Sequence, residues 1–425
     1  MKTIKYPAKT DWPEILKRPA FDTQFLDKIV GGILLDVKQN GDAAIKKYSL
    51  QFDKATLSNF FVTETEFNEG EKLCSPELKG AIQLAKNNIE KFHSAQKEEV
   101  NFIETASGVK CWRRSVGIEK VGLYIPGGSA PLFSTILMLA VPAKIAGCEE
   151  IIMCSPANSE GKLNPAILYT AKLIGITKVF KIGGAQAIAA MAYGTESIPK
   201  VFKIFGPGNQ YVTCAKQLIN KSGTAIDMPA GPSELAVLAD ESCDPTFVAA
   251  DLLSQAEHGE DSQVILVADN EKVITSIFSE IKKQLSLLPR KEIAAKALEN
   301  SKIILVKNIS EGIELVNEYA PEHLIIVCKN DEIVAEKIVN AGSVFLGNYS
   351  CESAGDYASG TNHTLPTNGY ARSYSGVSLD SFVKKITYQK ITKEGIYNIG
   401  PAIEVMADAE GLQAHKNAVT LRLKK

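Results

Sequence analysis

The chain carries only five histidines, at positions 93, 258, 323, 363 and 415, and four of them fall in its last two fifths. Each of these four stands by a carboxylate, a glycine-rich turn or the end of an expected element. Imidazole is the side chain best suited to moving a proton or binding a metal near neutral pH. In Ser254-Gln-Ala-Glu-His-Gly259, the preceding helix is expected to start at Asp244-Pro245, an N-cap and first-turn pair, and to end at His258 with Gly259 just past it. Gln255 and His258 would then share a face of the last turn. Two such donors can chelate one metal, although a Gln amide oxygen is an unusual partner for the imidazole. The plainer reading is an ordinary histidine at a helix end.

In Tyr319-Ala-Pro-Glu-His-Leu-Ile-Ile326, Pro321 should end a helix and Leu324 should open a buried strand. Glu322 and His323 are then held in the turn between, two proton-transfer groups of different acidity. A solvated Glu beside a satisfied His is the alternative. In Glu352-Ser-Ala-Gly-Asp-Tyr-Ala-Ser-Gly-Thr-Asn-His363, Asp356 can add a carboxylate ligand and His363 a further donor, or the segment is simply turn chemistry. Glu410-Gly-Leu-Gln-Ala-His415 adds another carboxylate and imidazole; alone, His415 reads as a surface histidine.

These residues need a scaffold. Up to about residue 100 the apolar spacing is helical, over Asp22–Gln39 and Leu78–Gln96. From Lys120 short β-rich runs alternate with helices: Val121–Ile125, Glu150–Cys154, Lys178–Ile182 and Val201–Phe205 each precede a helical stretch. They lack polar alternation, as strands covered on both faces do. Glycine turns close them, which predicts a doubly wound parallel sheet with its crevice at the carboxyl ends of the strands. A second α/β series runs from Leu235 to Leu346, followed by a long loop over 348–378 and a tail of strand and helix. Neither Gly206-Pro-Gly208 nor Pro126-Gly-Gly128 completes the dinucleotide fingerprint, so generic nucleotide binding follows only weakly from them.

Composition narrows the class. At 425 residues the chain is long enough for two to four domains, and its 45% hydrophobic and 23% charged content is that of a globular protein. A net charge of −2 gives no basic excess for nucleic acid or an anionic membrane. The uncharged stretch Val121–Ala143 is interrupted by three prolines and two adjacent glycines, so strand, turn and buried helix explain it better than a membrane span. The eight cysteines form no Cys-x-x-Cys pair, which fits reduced thiols in a cytoplasmic enzyme.

Taken together, Val121-Gly-Leu-Tyr-Ile-Pro-Gly-Gly-Ser-Ala-Pro-Leu132, Gly183-Gly-Ala-Gln-Ala-Ile-Ala189, Ile204-Phe-Gly-Pro-Gly-Asn209, Asp227-Met-Pro-Ala-Gly-Pro-Ser-Glu234, the three histidine segments already quoted and Leu412-Gln-Ala-His-Lys-Asn-Ala-Val419 resemble the motifs of the histidinol dehydrogenase family, in order over roughly residues 110–425. The resemblance implies zinc, one ion per subunit, and NAD, used in the four-electron oxidation of L-histidinol to L-histidine through the aldehyde. It implies Gln255, His258, Asp356 and His415 as zinc ligands, Glu322 and His323 as the acid/base pair, and Tyr124, Gln186 and Asn209 as NAD contacts. Ser233, Glu410 and His363, with His323 and the ligands, would meet the substrate. It further implies two incomplete Rossmann-like α/β domains, residues 1–118 with 230–375 and residues 119–229, plus a small segment 376–425 exchanged in a homodimer, so that Glu410 and His415 come from the partner. Two rivals differ in chemistry: a zinc hydrolase in which Glu322 activates water, which would need no NAD, and a nucleotide-binding protein with a structural metal, which the Gln and Asp donors argue against. A covalent intermediate on Cys148 or Cys351 is the rival for the second oxidation, with no basic neighbour in sequence to activate either thiol.

Overall fold

The computed structural model describes residues 1–19, 23–127 and 131–424, so the expected helix start at Asp22 lies outside the described residues. The strands are β1 (Lys2–Lys5), β2 (Phe102–Ala106), β3 (Val109–Gly117), β4 (Lys120–Tyr124), β5 (Glu150–Cys154), β6 (Lys178–Phe180) and β7 (Lys203–Phe205). They continue as β8 (Ala225–Ile226), β9 (Glu234–Ala239), β10 (Gln263–Ala268), β11 (Lys302–Leu305), β12 (His323–Val327), β13 (Ser343–Leu346) and β14 (Val383–Ile391). Among the described residues they form three sheets, ordered β1-β11-β10-β9-β12-β13, β6-β5-β4-β7-β8 and β14-β3-β2.

The first two sheets are parallel throughout their pairings. Apart from the added edge strand β1, both have one winding: the first strand is central, the next two extend one way, and the last two return on its other side. The fold is therefore α/β, built on two Rossmann-like sheets. Every residue of Glu234–Ala239 and of Gln263–Ala268 is buried, which is why these strands show no polar alternation. Their helices start where the sequence supplies caps; the Asp244 carboxylate accepts the Thr246 N–H at 2.8 Å, with Pro245 in the first turn. The apolar stretch after Lys120 resolves into β4, a turn and the helix Phe133–Ile145, buried from Ser134 to Ala143. Among the described residues no helix is long and apolar enough to cross a membrane.

The N-terminal helices touch the five-stranded unit. Helix Thr23–Tyr48, broken at Gly41, packs on helices Gly184–Tyr193 and Gln210–Asn220 of the five-stranded sheet, and Val30, Leu34, Val37 and Ile45 join that sheet's core. Helix Pro76–Ser94 lies on Phe133–Ile145. Their apolar stripes match the helical layer of the second unit; β1, Trp12 and Leu16 pack with the first. Two helices that the alternation did not reveal, Glu271–Leu285 and Lys291–Glu299, fill the stretch between β10 and β11.

The small antiparallel sheet ties the C-terminus back, with β14 paired to β3 from Val383↔Gly117 to Ile391↔Val109. Just before it, fully buried Phe382 stacks on Phe205 at 4.0 Å between ring centroids. Beyond it, helices Lys393–Ala409 and Gln413–Leu423 pack mainly on each other.

Candidate active site

Two chain segments meet at the amino ends of β9 and β12, where His323 pairs with Leu235 in register. Helix Ile309–Tyr319 stops because Ala320 turns left-handed (φ 51°), Pro321 follows, and the strand begins at His323 itself. Glu322 and His323 are both buried there. The Glu322 Oε2 accepts the Glu234 N–H at 2.9 Å, and His323 Nδ1 lies 3.4 Å from the Glu234 carbonyl oxygen. That contact suits an Nδ1–H donor and leaves Nε2, which has no hydrogen-bond partner, as the basic atom.

Three carboxylates surround this imidazole. Glu322 and Glu352 approach Nδ1 at 3.7 and 3.8 Å, and Asp356 approaches Nε2 at 3.6 Å. Burial works against protonation of His323, yet Glu322, Glu352 and Asp356 outweigh it and push its pKa up to about 10. Burial raises Glu322 to about 7 and Glu352 to about 8. For Asp356 burial is outweighed by His323, which keeps that carboxyl below its ordinary range.

Donor atoms of His258, Glu352 and Asp356 all lie within 4.8 Å of one another. Gln255, fully buried, sets its amide against Glu352. With the nitrogen toward Glu352 it donates to both carboxylate oxygens, to Oε2 at 3.1 Å, and its oxygen accepts from Glu234 N–H (3.3 Å); with the oxygen toward Glu352 two acceptors oppose each other. One imidazole, two carboxylates and an amide oxygen make a donor set that fits a dication such as Zn²⁺. Glu352 is the member that sequence reasoning missed. Its only local sign is the four-residue spacing to Asp356 on the short helix Glu352–Tyr357, which replaces part of the expected structureless loop.

The helix carrying Gln255 ends at Ala256, two residues earlier than expected, with Glu257 as a right-handed cap. Gly259 is not left-handed, so it does not end the helix as a left-handed glycine. His363 bonds Asp356 O through Nδ1 (3.0 Å) and Thr135 Oγ1 through Nε2 (3.0 Å), aligning Asp356 against the helix that follows β4. Ser233 precedes β9, and its carbonyl accepts the Gln263 N–H at 3.1 Å. Glu410 caps helix Lys393–Ala409, and exposed His415 rides on the last helix; neither belongs to the donor group of this chain.

The carboxyl ends of the five-stranded sheet gather the remaining candidates. Tyr124 closes β4, and its hydroxyl oxygen accepts the Gly184 N–H at 3.0 Å. Gln186, in the first turn of helix Gly184–Tyr193, is buried with both amide atoms unpaired. Asn209 caps helix Gln210–Asn220, accepting from Tyr211 and Val212 N–H at 3.1 Å each. Gly128, Ser129 and Ala130 of the neighbouring motif lie outside the described residues. Cys148 is buried, with its thiol pushed up to about 11 by that burial, which disfavours an attacking thiolate there.

Residues 16–423 match the family model for histidinol dehydrogenase. The chain is 63% identical over 423 residues to the histidinol dehydrogenase of Bacteroides thetaiotaomicron, covering 100% of this chain and 99% of that one. It is 51% identical over 413 residues to that of Campylobacter jejuni, covering 96% of each. The crystal structure of histidinol dehydrogenase from Elizabethkingia anophelis superposes with a TM-score of 0.98 at 57% identity, over 100% of this chain and 98% of that one. An acetylating aldehyde dehydrogenase from Geobacillus thermoglucosidasius, 14% identical with a TM-score of 0.51 over 91% of this chain and 94% of that one, shares the fold alone. The chain belongs to the histidinol dehydrogenase family, NAD-dependent oxidoreductases of histidine biosynthesis.

Proposed function

We propose that this chain oxidises L-histidinol to L-histidine in two successive steps at the crevice between the two parallel sheets. The observation that carries the reading is the buried Glu322–His323 pair, set within one carboxylate's reach of the His258, Glu352 and Asp356 donors. In this proposal Gln255, His258 and Asp356 hold Zn²⁺ with His415 of a second copy, and Glu352 borders the ion. When bound, the ion would hold and orient the amino alcohol through its nitrogen atoms, a proximity effect that can amount to several kcal/mol. NAD, contacted by Tyr124, Gln186 and Asn209, would accept one hydride in each oxidation.

His323 Nε2 takes the hydroxyl proton in the first oxidation. With Asp356 neutralised by a dication, the negative field on His323 weakens and its imidazole returns toward the neutral, proton-accepting form. Glu322, whose raised pKa lets it exchange protons near neutrality, draws a proton from water as the aldehyde hydrates. His323 returns its proton to the aldehyde oxygen as the hydrate forms, so that Nε2 is free to take the gem-diol proton in the second oxidation. Ser233 and His363 border the substrate, with Glu410 of the second copy.

A homodimer that exchanges segment 376–425 is part of this proposal. Its support is the C-terminal helix pair, on which Val405, Met406 and Leu412 are exposed, Val405 at 70%, and the separation of His415 from the donors of its own chain. Among the described residues all eight cysteines are free, which fits a reducing cytoplasm. The test is NADH formation from histidinol and NAD⁺ before and after chelation. Activity that needs NAD⁺ and is lost on metal removal supports the reading; turnover of an ester or amide without NAD⁺ points to the hydrolase instead.

A further inference from the structure

We infer that Arg18 is a positioning residue for the Glu322–His323 pair, acting through Glu234. This rests on the role proposed for that pair. The main chain of Glu234 addresses both of its members, the N–H bonding Glu322 Oε2 (2.9 Å) and the carbonyl facing His323 Nδ1 (3.4 Å). Where the backbone of this residue sits sets where the carboxylate lies and which imidazole nitrogen stays free.

Arg18 fixes it from the side-chain end. Its Nε and Nη2 donate to the two Glu234 carboxylate oxygens at 2.5 and 2.9 Å. The Asn368 N–H adds a third bond to Oε1 at 2.6 Å. The same Nη2 reaches the carbonyls of Tyr319 (2.6 Å) and Ala320 (3.3 Å), and the guanidinium lies 4.1 Å from the Tyr319 ring centroid. Ala320 is left-handed despite its side chain, a conformation that persists only where neighbours enforce it. Arg18 thus joins the two backbone segments that converge on the pair: the residue opening β9 and the turn leading into β12. Arg18 and Glu234 side chains are 17% and 3% exposed, so solvent and salt weaken this link little. A planar fork is required; an ammonium cannot serve both carboxylate oxygens and two carbonyls in this geometry.

The test compares the zinc-loaded protein with Arg18→Lys and with Arg18→Met/Glu234→Gln, which removes both charges. Four readouts are taken: thermal midpoint, zinc content, kcat and KM for histidinol, and the ¹⁵N shifts of the His323 imidazole. Both variants are expected to hold zinc and to keep KM within about threefold while kcat falls roughly 10–10²-fold. His323 should lose its fixed Nδ1–H tautomer. A folded variant with wild-type kcat overturns the inference, as does a fall in kcat with the tautomer unchanged. Should Arg18→Lys fail to fold, the charge-balanced double variant decides. If the wild-type protein does not oxidise histidinol, the proposed function fails, and the imidazole shifts still decide the positioning role.

Discussion

His363 Nε2 stands 3.0 Å from Thr135 Oγ1, joining a loop of the six-stranded unit to the first helix of the five-stranded one. Its other nitrogen holds the main chain of Asp356. The cluster of His258, Glu352 and Asp356 is thereby tied to the unit that carries Tyr124, Gln186 and Asn209. Asn362 adds a second link beside it, its Nδ2 donating to the Met138 carbonyl at 2.5 Å.

His323→Asn should lower turnover roughly 10²–10⁴-fold with metal still bound, because the partnerless Nε2 is the atom assigned to proton transfer. Glu322→Gln should chiefly harm oxidation of the aldehyde when that step is assayed alone. Steady-state kinetics with both substrates checks the pair; near-normal aldehyde turnover in Glu322→Gln would reassign hydration of the aldehyde.

Glu352→Gln should weaken metal retention about 10–100-fold, since this carboxylate lies among the donor atoms and also braces Gln255. Competition with a chelator, read as bound metal per chain, checks this without any activity assay.

The difference between what the sequence disclosed and what it concealed has a physical origin. Strand β5 was legible to the residue because a doubly covered strand is an unbroken apolar run. Helix Glu271–Leu285 escaped because its buried stripe, Ile274, Ile277 and Ile281, is narrow among charged residues. Glu322, His323, Gln255, His258 and Asp356 stood out by residue type and neighbours, and they do converge. Glu352 did not, since a carboxylate opening a helix is commonplace and only its distance to Asp356 and His258 marks it. Arg18 had no local signature at all, being 216 residues from Glu234 in the chain.

Gly206→Ala should raise the KM for NAD⁺ roughly tenfold or more while leaving bound metal unchanged. Gly206 is left-handed (φ 127°), and a Cβ would lie 2.1 Å from the Tyr124 carbonyl oxygen, so the end of β4 must shift and carry Tyr124 with it. NAD⁺ titration at saturating histidinol measures the effect.

Mixing inactive His415→Ala and inactive Gln255→Ala protein should restore activity if the site is shared between copies. A hybrid two-fold dimer has one intact and one doubly defective site, so random mixing returns roughly a quarter of wild-type activity. No recovery in verified hybrids would place His415 and Gln255 in one chain's site.

Asp251, buried on the helix that carries Gln255, has its pKa raised to about 7 by that burial. The unfolded chain loses this proton near pH 4, whereas the folded chain keeps it to about pH 7. Stability from this group is therefore present in acid and lost as pH rises through that window. Asp251→Asn should flatten the decline, by an amount on the order of a few kcal/mol across the window. Urea melts of wild type and variant between pH 5 and pH 8 decide it.

The two facing edges also differ in polarity. Helices Pro245–Ala256 and Ile309–Tyr319 end at the edge where His258 and Glu322 gather, so their carbonyl termini turn a negative potential on it. Helices Gly184–Tyr193 and Gln210–Asn220 begin at the carboxyl ends of the five-stranded sheet and turn a positive potential there. The backbone alone thus gives the two edges opposite electrical signs.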